Sequence, residues 1–257
     1  MESKFCMAEV TINLVDYHCH LDLYPDSEGV FAECSQHGVA TLAVTTTPQA
    51  WPKNKEMAER FPAVRVALGL HPQLVAERGA EIRIFEKFFP ETRFIGEVGL
   101  DAGPQFYRSI NQQKQIFERV LQMCNEAGGR ILSVHAVRTT RDILALVEKH
   151  LPQERGRVVL HWFNGTKSEA ELAARLGCYF SVNAQMLASP KRQPIVAGLP
   201  LQLILTETDG PLTNVGDRPA RPCDTAETVS VLAGLFRMSK DLMQKQILNN
   251  LIDLEAL

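Results

Sequence analysis

Two histidines separated by one residue, in Asp16-Tyr17-His18-Cys19-His20, close a run of apolar and β-branched residues. On an extended strand, residues two apart share a face. Both imidazoles can therefore reach one metal ion, while Cys19 points the other way and is set aside as a ligand. Further polar residues follow the same plan: His71 in GLHP, Glu97 in IGEVGLD, His135 in SVHAVR, His161 in HWFNG and Asp209 in LTETDGP. Each alone has an ordinary explanation. An HxH arises by chance, a buried Glu or His can be a satisfied core residue, and Asp209 before Gly210-Pro211 can simply form a turn. Converging on one place, imidazoles and carboxylates need cations to hold them together. His18, His20 and Asp209 would then hold a first ion, and His135 and His161 a second, with Glu97 as bridge. Two ions about 3.5–4 Å apart can share a hydroxide and clamp both the attacking and the leaving oxygen of a hydrolysis. Ligation by nitrogen and oxygen without thiolate admits Zn, Mn, Ni, Co or Fe, and Mg where waters complete the shell.

The elements that must position these groups are short strands alternating with helical patterns. Strands are expected at 11–17, 40–46, 65–70, 94–99, 130–134, 157–160, 179–183 and 201–207. Their near-continuous apolar character suits parallel strands buried on both faces. Residues 108–128 form the clearest helix between them, with a stripe of Ile110, Phe117, Val120, Leu121 and Cys124 ending at Gly128. Ser168 and Glu171 have capping-box spacing, and Gly177 suits a helix end. The strand ends recur at intervals of about 27 residues, the length of a βα unit. Eight such units predict an α/β fold, a (β/α)8 TIM barrel, with an extra C-terminal helical segment beyond the eighth strand. In that segment Leu242, Ile247, Leu251 and Leu254 read as the core face. The whole chain, 1–257, reads as a single hydrolase barrel domain. No glycine-rich dinucleotide fingerprint follows the first strand, which weighs against an open Rossmann sheet. Barrel enzymes react at the C-terminal ends of their strands. Five of the seven histidines (His18, His20, His71, His135, His161) fall there, whereas His37 and His150 lie in helical segments.

Composition narrows the setting. Of 257 residues 45% are hydrophobic and 22% charged, an ordinary globular balance that excludes disordered and collagen-like classes. A net charge of −3 gives no bulk attraction to nucleic acid or anionic membrane, so charge for handling phosphate would have to come from metal ions. The six cysteines (Cys6, Cys19, Cys34, Cys124, Cys178, Cys223) are scattered without a CxxC pair, as in reduced cytosolic proteins. With no apolar leader and no run of 18 apolar residues, a cytoplasmic protein without membrane contact is expected.

The motif set DYHCHLDLYPD, GLHP, IGEVGLD, QQKQIF, SVHAVR, HWFNG and LTETDGP resembles, in order, that of the TatD-type deoxyribonucleases, metal-dependent hydrolases of the amidohydrolase-like barrel group. The resemblance runs over about residues 14–257. It implies metal positions at His18, His20, Glu97, His135, His161 and Asp209, with two divalent ions such as Mg, Mn or Zn. It also implies His71 beside the substrate phosphate and Asp209 as acceptor of a proton from the attacking water. The implied substrate is DNA, as single strands or ends, cut in the manner of a 3′ exonuclease. Three loops depart from the pattern. GLDAGP lacks the aromatic residue that usually follows GLD, VHAVR has one extra residue before its arginine, and NVGDRPARPCDT replaces a basic segment after the eighth strand. LDLYPD, VTTTP, GLHPQL and LTETDGP together look most like the branch found in Qat anti-phage defence operons, implying defence-operon proteins as partners.

Catalysis is expected to rest on Asp209 and Glu97, with Glu207 orienting neighbours rather than binding metal. Arg138, Arg141 and Asn164 are candidate phosphate contacts, together with the basic spots Lys53/Lys55 and Lys191/Arg192, although such pairs are more often solvated surface. So little positive surface favours an end-acting enzyme with a shallow salt dependence. Two alternatives stay open: hydrolysis of a small amide, lactone or ester by the same metals, and a non-catalytic subunit of a defence complex.

Overall fold

The computed structural model describes residues 11–256. Cys6 lies outside them. Eight principal strands run in chain order: β1 (Leu14–Cys19), β2 (Val39–Val44), β3 (Val64–Ala67), β4 (Phe94–Asp101), β5 (Arg130–Val137), β6 (Gly156–Leu160), β7 (Tyr179–Val182) and β8 (Ile204–Thr206). Helical segments lie between them. All eight expected strands are present. The principal shift is at β8, where Leu201–Leu203 form a 3-10 turn after Pro200 and leave three residues in the strand. Among the described residues no helix is long and apolar enough to cross a membrane.

The chain divides into two compact units built from interleaved segments. The first comprises residues up to 43, 52–66 and 180–256. In it, β1, β2 and β3 form a sheet in that order, with β1 and β2 parallel and Val15 opposite Ala40. The pairing shifts between Asp16 and Cys19, where the histidines begin. β7 and β8 are also parallel, Ser181 opposite Leu205. The Thr206 hydroxyl donates to the Val15 carbonyl, so β8 is tied to β1. Val15, Tyr17, Leu42, Phe180, Val182 and Leu205 are buried, as parallel strands covered on both faces require.

The C-terminal helix Lys240–Glu255 also belongs to this unit. Ser239 caps it, accepting from the Leu242 amide. Its buried face is Met243, Ile247, Asn250, Leu251 and Leu254, a 3.6-residue stripe. Leu242, expected in that stripe, is 57% exposed. It stands one position off the face that Met243 occupies. Asn250 takes a core position because its amide donates to the carbonyls of Leu201 and Ile204, satisfying the irregular entry to β8.

The second unit comprises residues 44–51 and 67–179. Here β4, β5 and β6 form parallel pairs, with Gly99 opposite His135 and Val134 opposite Leu160. The register shifts between Ile95 and Val98, a bulge that re-aims Glu97. Gly99 adopts φ 138°, and a side chain there would come within 2.1 Å of the His135 carbonyl oxygen. Gly69 of GLHP is needed for a similar reason, since a Cβ would lie 1.7 Å from the Thr45 carbonyl oxygen. The helix Ile110–Ala127 buries Gln113, Phe117, Val120, Leu121, Met123 and Cys124, and ends at Gly128 with φ 71°. The capping box of helix Lys167–Arg175 is formed by Thr166 and Glu169, two residues before the expected pair. Gly177 stands just past that helix at φ 72°, as expected.

Candidate metal-binding site

In the first unit β1 delivers His18, and His20 follows it directly; both are fully buried. Their rings stand edge to face with centroids 5.2 Å apart. Asp209 presents Oδ1 to both, 3.7 Å from His18 Nε2 and 3.5 Å from His20 Nε2. These separations are long for hydrogen bonds. They fit donors grouped about an ion, since ligand atoms about 2.1 Å from a tetrahedral metal lie about 3.4 Å apart. The first expected ligand set is therefore assembled, and its donor types suit a divalent cation.

The backbone holds this triad in place. Asp209 has a left-handed conformation, φ 56°, unusual for a residue with a side chain. Its amide donates to the His18 carbonyl at 2.9 Å, and the His20 amide donates to the Gly210 carbonyl at 2.8 Å. Asp16 adds a second tie: its carboxylate accepts from the Thr208 amide at 2.9 Å and from the Thr208 hydroxyl. Burial pushes the Asp16 carboxyl up to about 8, against the lowering effect of the Thr208 hydrogen bonds. Glu207 is fully buried and accepts from the Ser181 hydroxyl and from Asn183 Nδ2 at 2.9 Å. Its oxygens thereby tie β7 and the turn after it to the end of β8. Cys19, set aside as a ligand, donates to the Gly210 carbonyl at 3.3 Å.

The second unit carries a cluster around Glu97. Glu97 Oε1 is 2.7 Å from His135 Nδ1 and 3.4 Å from His161 Nε2, and Oε2 is 3.2 Å from His71 Nε2. Glu97 stands midway along β4 and His135 toward the end of β5, while His71 and His161 follow β3 and β6. His161 follows β6, and the chain then turns sharply through Trp162 at φ 42°. His135 is also hydrogen-bonded through Nε2 to Asp101 Oδ2 at 3.0 Å. Burial alone would lower the His135 pKa, but hydrogen bonds to Asp101 and Glu97 outweigh it and raise it to about 9. Burial likewise opposes ionisation of Asp101, yet hydrogen bonds to His135 and Gln73 hold it below the usual carboxylate range. A cation in this cluster would take the place of the proton on His135.

His71 belongs to this cluster by distance, and its ring has a defined polarity. Nδ1 accepts from the Gln73 amide at 3.2 Å, so in the neutral ring Nε2 carries the proton. That makes Nε2 a donor rather than a ligand. Arg138 follows β5 directly, exposed and left-handed at φ 58°, and Asn164 is half-buried three residues past His161. Neither side chain hydrogen-bonds to the cluster. Arg141, Lys53 and Lys191 are also exposed.

Several positioning residues carried no signal strong enough to single out. Asp101 stands inside IGEVGLD, and Gln73 donates to its Oδ2 at 2.8 Å. Gln113, within QQKQIF, accepts from the Asp101 amide at 2.7 Å and donates to the carbonyls of Asp101 and Phe106. A polar residue on the apolar stripe of a helix was the available clue. For Asp16, the clue was a carboxylate within an otherwise apolar strand.

The family model for TatD related DNase matches residues 15–255. The chain belongs to that family. Relatives of this TatD-related protein extend over nearly all of it. It is 28% identical to the "Uncharacterized metal-dependent hydrolase YjjV" of Escherichia coli, covering 92% of this chain and 95% of the other. It is 29% identical to "Deoxyribonuclease TATDN3" of Homo sapiens, covering 89% and 90%. The crystal structure of Escherichia coli YjjV superposes with a TM-score of 0.78 at 26% identity, over 94% of this chain and 97% of that one. A TatD family hydrolase of Entamoeba histolytica, 15% identical, shares the fold at a TM-score of 0.80 over 95% and 98%. The fold is thus the α/β barrel of the TatD relatives, as the alternating strands and helices predicted.

Proposed function

We propose that this TatD-related chain is a two-metal phosphodiester hydrolase that cleaves DNA at single-stranded regions or ends, from the 3′ side. The observation that carries this reading is the pair of buried imidazole–carboxylate clusters, His18/His20/Asp209 and Glu97/His135/His161, in a chain of this family. Divalent ions, when bound, would supply Lewis acidity and lower the pKa of a water molecule. The chain's own groups do the rest. Asp209 accepts the proton of the attacking water on a carboxylate oxygen, its unusual backbone holding that carboxylate toward His18 and His20. Glu97 offers two oxygens toward three histidines and serves as a carboxylate ligand. The Nε2 proton of His71 suits a phosphate oxygen, which supports a substrate-side part for it. Arg138 and Asn164 contact phosphate from the loops after β5 and β6.

Mg, Mn or Zn fits these donors. The cytoplasmic setting is supported by the described cysteines, all free thiols. A place beside other anti-phage defence proteins is supported by the loop motifs LDLYPD and LTETDGP. The test is incubation of purified protein with end-labelled single-stranded DNA, with Mg²⁺, Mn²⁺ or EDTA, beside Asp209→Asn. Metal-dependent shortening from one end, absent in the variant, is expected. Intact DNA in every metal would overturn the reading.

A further inference from the structure

Six large apolar side chains are exposed among the described residues, and two of them stand directly beyond ligands of the first cluster. Leu23 is 45% exposed and three residues past His20; Leu212 is 63% exposed and three residues past Asp209. The Leu23 amide donates to the His20 carbonyl and the Leu212 amide to the Asp209 carbonyl, both at 3.0 Å. The two turns are joined by the His20–Gly210 and Asp209–His18 backbone bonds. Each leucine therefore rides on backbone fixed to a ligand. Single exposed leucines are common on protein surfaces, but these two stand on turns anchored to the same cluster, and a substrate reaching that cluster would gain by covering them.

Charge in the neighbouring segment is already committed. Arg218 grips both oxygens of Asp224 at 2.7 and 2.8 Å. Arg221 pairs with Asp26 at 2.7 Å and with Glu33, and lies over the Tyr24 ring. These two guanidiniums are neutralised within the protein and offer little charge to a polyanion, which leaves more of the binding there to non-ionic contact.

Building on the phosphodiesterase reading above, we propose that Leu23 and Leu212 form an apolar platform for an unpaired nucleobase and its sugar next to the scissile phosphate. A base within a duplex has both faces covered by its neighbours, so the platform selects single strands and frayed ends. It makes the base a handle for binding where backbone charge finds few free cations.

The test compares steady-state cleavage of a single-stranded 12-mer with that of a base-free oligonucleotide of equal length, built from tetrahydrofuran abasic units, in Mn²⁺. The wild-type KM should be about tenfold higher on the base-free strand. The variant Leu23→Ser/Leu212→Ser should raise KM about tenfold on the normal strand and less than twofold on the base-free one. Leu212→Phe should recover binding in the Leu23→Ser background, because aromatic stacking accepts any base. Thermal stability of the serine variants should match wild type, since both residues are exposed. Equal KM on the two strands for wild type, or equal losses on both in the variant, would overturn the platform while leaving the nuclease reading intact. Cleavage of neither strand by wild type would overturn both.

Discussion

Replacing Thr208 by Val isolates the tie between β8 and β1 without changing side-chain volume. The Thr208 hydroxyl donates to the buried Asp16 carboxyl and accepts from the Gly210 amide at 3.2 Å. Burial keeps the Asp16 carboxyl largely protonated at neutral pH, so its hydrogen bond contributes about 0.5–1.5 kcal/mol, as in a neutral pair, and a buried amide left without its acceptor costs about 1–3 kcal/mol. The expected destabilisation is therefore about 2–4 kcal/mol, roughly 5–15 °C in Tm for a domain of this size. The functional effect should be larger than that of an ordinary core lesion. Thr208 precedes Asp209, and Asp16 lies two residues before His18, so the lost bond loosens the register of the triad itself. Loss of an orienting partner lowers metal affinity about 10–100-fold. Isothermal titration of the metal-free protein with Mn²⁺ or Zn²⁺ would read this directly, with thermal unfolding in parallel. Thr208→Ser keeps the hydroxyl and should restore affinity to within about threefold. If Thr208→Val binds metal as tightly as wild type, or Thr208→Ser fails as badly, the tie does not position the site.

Asp209→Asn and His135→Ala should each cut turnover on single-stranded DNA by at least about 10³-fold while circular dichroism shows an intact fold; near-normal activity in either would contradict their assigned parts. His71→Ala should slow the reaction but leave metal content unchanged by atomic emission analysis, because Nε2 is a donor rather than a ligand. The hydrogen bond from Arg221 holds the Asp26 carboxyl below its ordinary 3.8. A depressed carboxyl stabilises the fold above its unfolded pKa and loses that contribution as pH falls through the folded value. The Tm gap between wild type and Arg221→Ala should accordingly be constant from pH 5 to 8 and shrink below about pH 4. A gap that widened on acidification would refute the pairing.

The histidines at strand ends were legible because both features are local: an apolar run gives the strand, and the residue after it gives the ligand. The bonds that orient them were not. Asp16 and Thr208 meet across 192 residues of chain, a separation that residue spacing does not encode. Overlapping patterns also hide boundaries. Thr166-x-x-Glu169 and Ser168-x-x-Glu171 have the same spacing, and the extended Thr166 backbone, with Glu169 accepting from its amide at 2.7 Å, decides between them. In the last helix a leucine one position off the buried face looks like a member of the stripe until Asn250 fixes the rotation by bonding to Leu201 and Ile204.

The zipped turns at His20 and Asp209 also set a schedule. A ribosome making about 5–20 residues per second adds Asp209 some 10–40 s after His18. Throughout that interval the nascent chain holds two histidines without their carboxylate, and the backbone bonds that would fix them have no second strand to form with. A chain released early, before β8, has no first cluster at any metal concentration. The triad of His18, His20 and Asp209 is thus a property of the chain only once the residues after β8 have been made and paired with those after β1.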